Sequence, residues 1–344
     1  MKEKLLGKSL EEIKAICNKE NLPSFAANQI ANWLYVKKVG TIDEMTNLSK
    51  IHRSALNEHY IVGSENPVGV ACSADGTKKY LFRCSDSLLK NDDNVSRYVE
   101  SVMIPDEDRY TLCVSSQAGC RMGCKFCMTG RGGFYGNLST AEILNQFFRV
   151  AESEQLTNAV FMGMGEPLDN VQNLFKAIEI LTSKWGCGWS PKRITVSTIG
   201  INVKQLLDNT KVHLAVSMHN PFAEERLRIM PAENRHPLAQ TLQLIKQYDF
   251  SGQRRVSFEY IMFKGLNDTK HHADAIIRLL RGLECRVNLI RFHDIGQTEF
   301  VTSPPPVIEA FKQRLQQAGI ITTIRASRGE DIEAACGMLA GKNS

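Results

Sequence analysis

Four of the ten cysteines in this 344-residue chain fall within fifteen positions, in the stretch CVSSQAGCRMGCKFCMTG at residues 113–130. Three of them, Cys120, Cys124 and Cys127, have the spacing C-x3-C-x2-C. In a reducing compartment, thiols crowded in this way bind metal or do chemistry more often than they form disulfides. The other six cysteines stand singly, and an isolated cysteine is typical of a small buried hydrophobe. They occupy positions 17, 72, 84, 187, 285 and 336.

Two kinds of metal site compete for the three clustered thiols. Structural zinc takes four protein ligands, usually as two short pairs separated by a longer segment. Here three thiols share one loop, and no Cys or His within easy reach completes a tetrahedral site. Three cysteine ligands to a four-iron cluster leave one iron open for a small chelating ligand. The spacing therefore favours a [4Fe-4S] cluster, with a zinc-binding RNA module as the non-enzymatic alternative.

Composition limits the class of protein without identifying it. With 43% hydrophobic and 23% charged residues, the chain is typical of a globular, core-forming protein. No apolar run approaches the roughly 18–20 residues of a membrane helix, and the first residues do not resemble a secretory signal. We therefore expect a cytoplasmic protein with no membrane partner. The net charge of +5 is too small and too evenly spread to indicate nucleic acid by itself.

The cysteine loop must be positioned by the elements around it, and three parts of the chain differ in pattern. Residues 1–60 predict a small helical domain, whose first helix opens on a capping box from Ser9 to Glu12. Residues 61–105 alternate like strands, with a DG turn at 75–76, and predict a β-rich connecting segment. From residue 106 to 344, strand patterns alternate with amphipathic helices.

Alternating strands and helices predict a mainly parallel sheet, and six or seven such units suit a full or partial β/α barrel. Active residues of such barrels lie at the carboxyl ends of the strands. Around Cys336, the apolar spacing of DIEAACG predicts a helix. The strand candidates are TLCVSS, NAVFMGM, RITVST, HLAVSM, RVSFEYIMF, RVNLIRF and ITTIRAS.

The C-x3-C-x2-C spacing, with Phe126 before the last cysteine, resembles the signature of the radical S-adenosylmethionine superfamily. That resemblance implies a partial (β/α)6 radical-SAM barrel, an α/β fold, in which the open iron holds S-adenosylmethionine. The turn GMGEP at 163–167 and the strand ends VSTIG and VSMH lie where the superfamily contacts this cofactor. The implied cofactor-binding residues are Gly165, Glu166, Ser197, Ser217, Met218, His219 and His293. At His293 the sequence departs from the many relatives that have Asn.

Nearly the whole chain resembles one family within that superfamily, the ribosomal RNA adenine-C2 methyltransferases, close kin of the C8-methylating resistance enzymes. The resemblance rests on VESVMIPDEDRYTLCVSSQAGC, GMGEPLDN, VSMHNP, VNLIRFH, SRGEDIEAACGMLAG and the N-terminal FAANQIANWLYVKKVGTIDEMTNLSK. It implies methylation of an adenosine in the peptidyl-transferase centre of 23S rRNA and, in some members, of one beside the tRNA anticodon. An electron donor such as flavodoxin and a monomeric state belong to the same expectation.

The family's mechanism explains two further cysteines, because the electron-poor C2 of adenine does not attack a methyl donor whereas a thiolate does. By match to DIEAACG, Cys336 is the methyl carrier, and Cys113 is the resolving thiol that forms a transient disulfide with it. Glu100 in YVESV matches the family's proton acceptor. Two molecules of S-adenosylmethionine are used per turnover, one as methyl donor and one as radical source.

Two enzymatic alternatives remain open at the level of sequence. The C8-methylating subfamily shares every catalytic residue named above, and a radical enzyme acting on a non-RNA substrate would need the cluster but not Cys113 and Cys336. For RNA, the candidate phosphate contacts are Arg131, Lys192, Arg193, Arg254 and Arg255.

Overall fold

A computed structural model describes residues 2–84, 97–253, 255–296 and 298–341. Its centre is a sheet of ten strands, flanked in sequence by an N-terminal helical region and a C-terminal segment. Within the described residues, no helix has both the length and the apolar character needed to cross a membrane.

The N-terminal region contains three helices tied together by a short parallel pair of strands. Ser9 caps the first helix, where its hydroxyl accepts from the Glu12 N–H at 3.3 Å and the Glu12 carboxylate accepts from the Ser9 N–H at 2.6 Å, as the sequence predicts. The apolar faces of these helices join the same hydrophobic core as the main sheet. The elements are β1 (Glu3–Lys4), α1 (Leu10–Lys19), α2 (Ala26–Tyr35), α3 (Lys50–His59) and β2 (Tyr60–Ile61), with a 3-10 turn at Ile42–Glu44.

The next segment forms three antiparallel strands that extend the barrel sheet. They are β3 (Gly69–Cys72), β4 (Lys78–Cys84) and β5 (Arg97–Asp106). The DG turn joins β3 to β4, where Gly76 has a φ of +83° that favours glycine. Because β5 also pairs with the first barrel strand, with Val102 opposite Cys113, this segment is continuous with the sheet that carries the cysteines.

The barrel region follows the strand pattern closely. Strands are found in all seven candidate stretches, and they pair in parallel in chain order, so their carboxyl ends lie at one end of the barrel. Two short strands, β7 and β8, pair with each other outside the main sheet. The strands are β6 (Arg109–Cys113), β7 (Gln117–Gly119), β8 (Phe134–Asn137), β9 (Asn158–Phe161), β10 (Ile194–Thr198), β11 (His213–Ser217), β12 (Val256–Met262), β13 (Cys285–Arg291) and β14 (Ile321–Ile324).

Helices connect the barrel strands and cover the sheet. The helices agree with the amphipathic patterns that the sequence shows between its strand patterns. The helices are α4 (Met128–Arg131), α5 (Thr140–Phe148), α6 (Val171–Thr182), α7 (Val203–Asn209), α8 (Ala223–Ile229), α9 (Leu238–Gln247), α10 (Lys270–Leu280) and α11 (Pro305–Gln317).

The C-terminal segment, residues 329–341, is not the helix that the spacing around Cys336 predicts. Only a 3-10 turn at Glu330–Ile332 forms, and the backbone has positive φ at Gly329, Glu333 and Gly337. Such angles interrupt a helix. The backbone N–H groups of this segment are used for tertiary contacts instead, since Gly329 donates to Asp75 Oδ2 at 3.0 Å.

Candidate active site

Two adjoining cavities lie inside the barrel, and the five candidate site cysteines line them. The smaller, about 150 Å³, is lined by the three clustered cysteines together with residues from the strand ends. The larger, about 780 Å³, is lined by Cys113 and runs along the barrel interior. Cys127, Arg325 and Cys336 line both cavities, so Cys336 stands where they meet.

The cluster loop, residues 120–127, is fixed by backbone hydrogen bonds and by aromatic packing. The Cys120 N–H donates to the Gly133 carbonyl at 2.7 Å, and the Lys125 N–H donates to the Ile229 carbonyl at 3.0 Å. The Phe126 ring lies 5.0 Å from the His219 ring, centroid to centroid. These contacts hold the loop against the carboxyl ends of the strands.

The three loop thiols suit a cluster better than a single ion. Within the described residues, no three His, Cys, Asp or Glu side chains are arranged to hold one metal ion. The loop cysteines instead border a cavity, as a four-iron cluster requires, because each thiol then binds a different iron. Burial raises the pKa of Cys120 to about 12 and that of Cys124 well above its usual range. Coordination to iron would reverse both shifts, because the metal binds the thiolate form.

The GMGEP turn owes its shape to two glycines that approach other backbone closely. A side chain at Gly165, where φ is +96°, would clash with Gln117, and one at Gly163 would meet Ser115 and Val114. Glu166 is buried, and its Oε2 accepts from the Ile199 N–H at 3.0 Å. Burial raises the pKa of Glu166 to about 7, although hydrogen bonds from Ile199 and its neighbours oppose that shift. The carboxyl is thus held ready for a cationic group.

Of the seven candidate cofactor-binding residues, five line the smaller cavity and two do not. Gly165, Ser197, Ser217 and His219 line it beside Glu166, whereas Met218 is fully buried and His293 lines only the larger cavity. His219 Nδ1 accepts from the Ile261 N–H at 3.1 Å, and burial, aided by Arg226, lowers its pKa to about 3, so the ring is neutral.

Both ring nitrogens of His293 face polar groups near or within the C-terminal segment. Nδ1 lies 3.3 Å from Glu330 Oε1, and Nε2 lies 3.4 Å from the Ser327 hydroxyl. Burial lowers the pKa of His293, which the nearby Glu330 opposes. In this arrangement His293 contacts the chain that leads to Cys336.

Cys113 and Cys336 line the same cavity and are close enough to interact electrostatically. Burial and, to a smaller extent, the proximity of Cys336 raise the pKa of Cys113 to about 12. Burial also raises the pKa of Cys336, but the guanidinium of Arg325, hydrogen-bonded to the thiol, opposes this. Arg325 Nε in turn lies 3.4 Å from Glu259 Oε2. The surface that Cys336 exposes faces the cavities.

Glu100 is buried in β5 and does not line either cavity. Its Oε2 accepts from the backbone N–H groups of Ala340 and Gly341, at 2.8 and 3.0 Å. Its Oε1 lies 3.1 Å from Lys79 Nζ. The carboxylate therefore fastens the C-terminal segment that carries Cys336.

The candidate phosphate contacts are dispersed. Arg193 and Arg255 line the larger cavity, and Lys192 does not. Arg131 donates to the Gly296 carbonyl at 2.8 Å, and Arg254 lies outside the described residues.

Sequence reasoning missed three charged residues, of which Glu259 and Arg226 are buried and Arg325 is half-buried. Glu259 and Arg325 border the smaller cavity, and Arg226, which is fully buried, donates to the carbonyls of Ile199, Ser217 and Met218 at 2.8–2.9 Å. A charged residue inside an otherwise apolar strand, as Glu259 is in VSFEYIM, is the signal that could have found the first. For Arg226 the helix sequence offers no comparable signal.

Comparisons with known proteins agree with this geometry. The sequence profile of the Radical SAM superfamily matches residues 114–280, and that of the ribosomal RNA large subunit methyltransferase N-terminal domain matches residues 3–62. A radical SAM methyltransferase from Sphaerobacter thermophilus superposes with a TM-score of 0.91 at 35% identity, covering 99% of this chain and 100% of that one.

Two curated relatives are more similar in sequence, and both are named probable dual-specificity RNA methyltransferase RlmN. The one from Porphyromonas gingivalis is 54% identical over 337 residues, covering 98% of this chain and 96% of that protein. The one from Phocaeicola vulgatus is 54% identical over 341 residues, covering 98% and 95%. With the cysteine loop, the two cavities and full-length similarity in agreement, the chain belongs to the RlmN family of radical S-adenosylmethionine RNA methyltransferases.

Proposed function

We propose that the protein methylates C2 of an adenosine in RNA, with Cys336 as methyl carrier. Its proposed substrates are the adenosine in the peptidyl-transferase centre of 23S rRNA and the anticodon-adjacent adenosine of tRNA. The position of Cys336 where the two cavities meet is the observation that carries this proposal. The choice of C2 and of two RNAs rests on relatedness to enzymes named as dual-specificity RNA methyltransferases.

In the first half-reaction, Cys336 takes the methyl group of one S-adenosylmethionine. Only the thiolate attacks, and burial disfavours it, so the neighbouring guanidinium of Arg325 has a role in stabilising the anion. Glu259, within 3.4 Å of Arg325, positions that guanidinium.

The residues round the smaller cavity would hold the cofactors. Cys120, Cys124 and Cys127 would ligate the [4Fe-4S] cluster, Glu166 with Gly165 would receive the amino group of S-adenosylmethionine, and the hydroxyls of Ser197 and Ser217 would bind its ribose and carboxylate. Met218 supports the strand end through its backbone. When bound, the cluster supplies the electron with which a second S-adenosylmethionine removes a hydrogen atom from the S-methyl group.

The second half-reaction uses Glu100 and Cys113. Once the carbon of the methyl group has bonded to C2, the C2 proton must leave, and Glu100 is the proposed acceptor. That role requires its carboxylate to release the N–H groups of Ala340 and Gly341, so the C-terminal segment shifts during turnover. Cys113 then attacks the sulfur of Cys336 as a thiolate, which forms a disulfide, breaks the bond between that sulfur and the transferred carbon and frees the methylated base. The carbon takes up a proton, and the one electron that the radical adduct must lose would go to the bound cluster.

The remaining parts have supporting roles in the proposal. Residues 1–60 form an RNA-recognition module, residues 61–105 a connecting β segment, and residues 106–344 the catalytic barrel. The match of residues 3–62 to a ribosomal RNA methyltransferase N-terminal domain supports the first assignment. A flavodoxin-type donor would supply the electron to a cytoplasmic, monomeric enzyme.

Replacement of Cys113 tests the proposal most sharply. Cys113→Ala keeps the carrier but lacks the thiol that releases the product, so the protein should accumulate covalently bound to RNA. A denaturing gel should show a nuclease-sensitive shift, and adding Cys336→Ala should remove it. Mass spectrometry of nucleosides from cells with and without the gene should show 2-methyladenosine in both 23S rRNA and tRNA.

Several results would contradict parts of this proposal. Turnover of Cys113→Ala at the wild-type rate without an adduct would remove Cys113 from the mechanism. Detection of 8-methyladenosine would assign the protein to the C8 chemistry, and unmodified tRNA would limit the substrate to rRNA.

A further inference from the structure

The larger cavity is strongly cationic, although the chain as a whole is nearly balanced. The chain has 42 Lys and Arg against 37 Asp and Glu. The described residues that line the cavity include seven arginines and a single carboxylate, Asp106. A cavity with this charge concentrates polyanions at its opening.

Four of these arginines come from one repeated pattern, in which an arginine stands two residues before a small polar side chain at the start of a barrel strand. Arg109 and Arg286 lie in their strands and share a face with their partners, because strand side chains alternate between faces, whereas Arg193 and Arg255 directly precede β10 and β12. A β/α barrel is ordinarily filled by branched apolar side chains, so this interior is built for a polar occupant. The pairs are Arg109 with Thr111, Arg193 with Thr195, Arg255 with Ser257 and Arg286 with Asn288, and all eight line the cavity.

The arginines and the cysteines lie at opposite ends of the barrel. The four arginines stand at the amino ends of parallel strands, and Cys113 and Cys336 lie near the carboxyl ends. Along β12, four residues separate Arg255 from Glu259, about 13 Å at the rise of a strand. Glu259 contacts Arg325, the partner of the Cys336 thiol. The cavity therefore leads from the arginines to the methyl carrier.

The carboxyl end of the barrel is covered, whereas the amino end is accessible. The cluster loop and the C-terminal segment close the first, since the Met128 N–H donates to the Gly337 carbonyl at 2.8 Å and the Thr129 hydroxyl to the Leu339 carbonyl at 2.7 Å. At the other end, Arg109, Arg193, Arg255 and Arg286 are all exposed to solvent.

We propose that the target nucleotide enters through the amino end of the barrel, where these four arginines bind the RNA phosphates while the base extends inward towards Cys336. The inference rests on the proposed function, because it takes RNA as the substrate. Guanidinium groups bind phosphate oxygens in pairs, which suits a backbone that must be held while one base is unstacked.

The partners that these arginines have in the free protein are weak enough to exchange. Arg255 Nε lies 3.5 Å from Glu284 Oε2, with the two side chains 54% and 84% exposed. Arg109 pairs with the half-exposed Asp106. Ion pairs this exposed contribute little energy, so phosphate can replace the carboxylates.

The polar residues farther inside would face the base. Asn288 Nδ2 donates to Glu259 Oε1 at 2.8 Å, and the Ser257 hydroxyl donates to the same oxygen at 3.3 Å. Hydrogen-bonding groups along the path match the recognition of an unstacked base by its edges.

Binding of a synthetic RNA hairpin with the target adenosine in its loop tests the proposal on the full-length holoenzyme. Arg193→Ala with Arg255→Ala should weaken binding roughly tenfold or more and reduce the slope of log affinity against log salt by about 1 for each arginine removed. Arg193→Lys with Arg255→Lys should recover part of both effects. Arg228→Ala is the matched control, because Arg228 is an exposed arginine of α8, which follows the carboxyl end of β11.

Cross-linking of the wild-type protein locates the RNA independently of any variant. With 4-thiouridine beside the target adenosine, the cross-linked peptides should contain residues 193, 255 or 286. Two results would overturn the access path but leave the proposed function intact, provided that the wild-type protein methylates the hairpin. One is an unchanged affinity and salt slope in the alanine variant, and the other is a set of cross-links confined to the C-terminal segment. A wild-type protein that neither bound nor methylated any RNA would overturn both.

Discussion

The cluster loop and the C-terminal segment both present cysteines to the same cavities, but they are held in different ways. The loop packs Phe126 against His219 and Phe263 and buries Cys120 and Cys124. The C-terminal segment also buries Ala334 and Leu339 in the core, but its first part is held by exposed polar contacts: Asp331 accepts from the Ser73 hydroxyl at 2.6 Å and from the Ala74 N–H at 3.1 Å.

This difference follows from what the two groups of thiols would do. A thiol that holds a cofactor works best when packing fixes it in one geometry. A thiol that accepts a methyl group, presents it to a base and then forms a disulfide must reach three partners in turn. Polar contacts at the surface break and reform at lower cost than a buried apolar contact does. The C-terminal segment is thus the part of the site that we expect to move.

The largest expected effect comes from replacing a cysteine of the cluster loop. Cys120→Ala should prevent assembly of the cluster and abolish both cleavage of S-adenosylmethionine and RNA methylation. Iron content and visible absorbance of anaerobically purified protein measure the first, and Cys72→Ala, at an exposed cysteine of β3, is the matched control. A full four-iron spectrum in Cys120→Ala would rule out this site.

A smaller effect should appear in stability. Because burial raises the pKa of Glu166 to about 7 from an ordinary value of 4.5, its neutral form stabilises the fold at low pH, and this contribution is lost as pH rises through 7. Glu166→Gln should therefore gain on the order of 2 kcal/mol in free energy of unfolding, relative to wild type, between pH 5.5 and 8.5. Urea unfolding of the cofactor-free protein at the two pH values measures this.

Asp331 of the C-terminal segment should lack that pH dependence. Hydrogen bonds from Ser73 and then Ala74 lower the pKa of Asp331, so this carboxylate stays ionised from pH 5.5 to 8.5 in folded and unfolded protein alike. A difference between wild type and Glu166→Gln that did not change with pH would show that Glu166 is not buried in its neutral form.

The smallest effect should come from removing a polar contact of the C-terminal segment. Asp331→Ala removes the acceptor for Ser73 and Ala74, so we expect iodoacetamide to alkylate Cys336 several-fold faster while the cluster remains complete. Asp249→Ala is the control, since Asp249 is another exposed aspartate that accepts from a nearby backbone N–H, that of Ser251 at 2.8 Å. Equal alkylation rates in the two variants would mean that the contacts of Asp331 do not hold the segment.

The sequence was most informative where structure is local. Strand patterns located all seven barrel strands, and the capping box at Ser9 forms as expected. Helical spacing failed at Cys336 because tertiary contacts with Asp75 and Glu100 decide that backbone. Such contacts join residues about 240–250 positions apart and leave no local pattern.

The same limit applies to the candidate site. Spacing and resemblance indicated the cysteines, the GMGEP turn and the strand-end serines, and the structure places these groups round two cavities. The ion pair of Arg325 with Glu259 and the engagement of Glu100 by the C-terminal backbone depend on which strands become neighbours. The roles assigned to these residues remain predictions for experiment.

The sheet order also bears on how the chain folds during synthesis. From β3 to β14, the strands of the main sheet follow one another in space as in sequence, apart from the excursion of β7 and β8, so each can join its neighbour soon after it is made. The C-terminal segment is different, because its contacts with Asp75 and Glu100 close loops of 254 and 240 residues. Domains generally fold from the N-terminus as they are synthesised. The proposed methyl carrier would thus be positioned last, and a chain interrupted before residue 329 would contain every proposed cluster ligand without the thiol proposed to receive the methyl group.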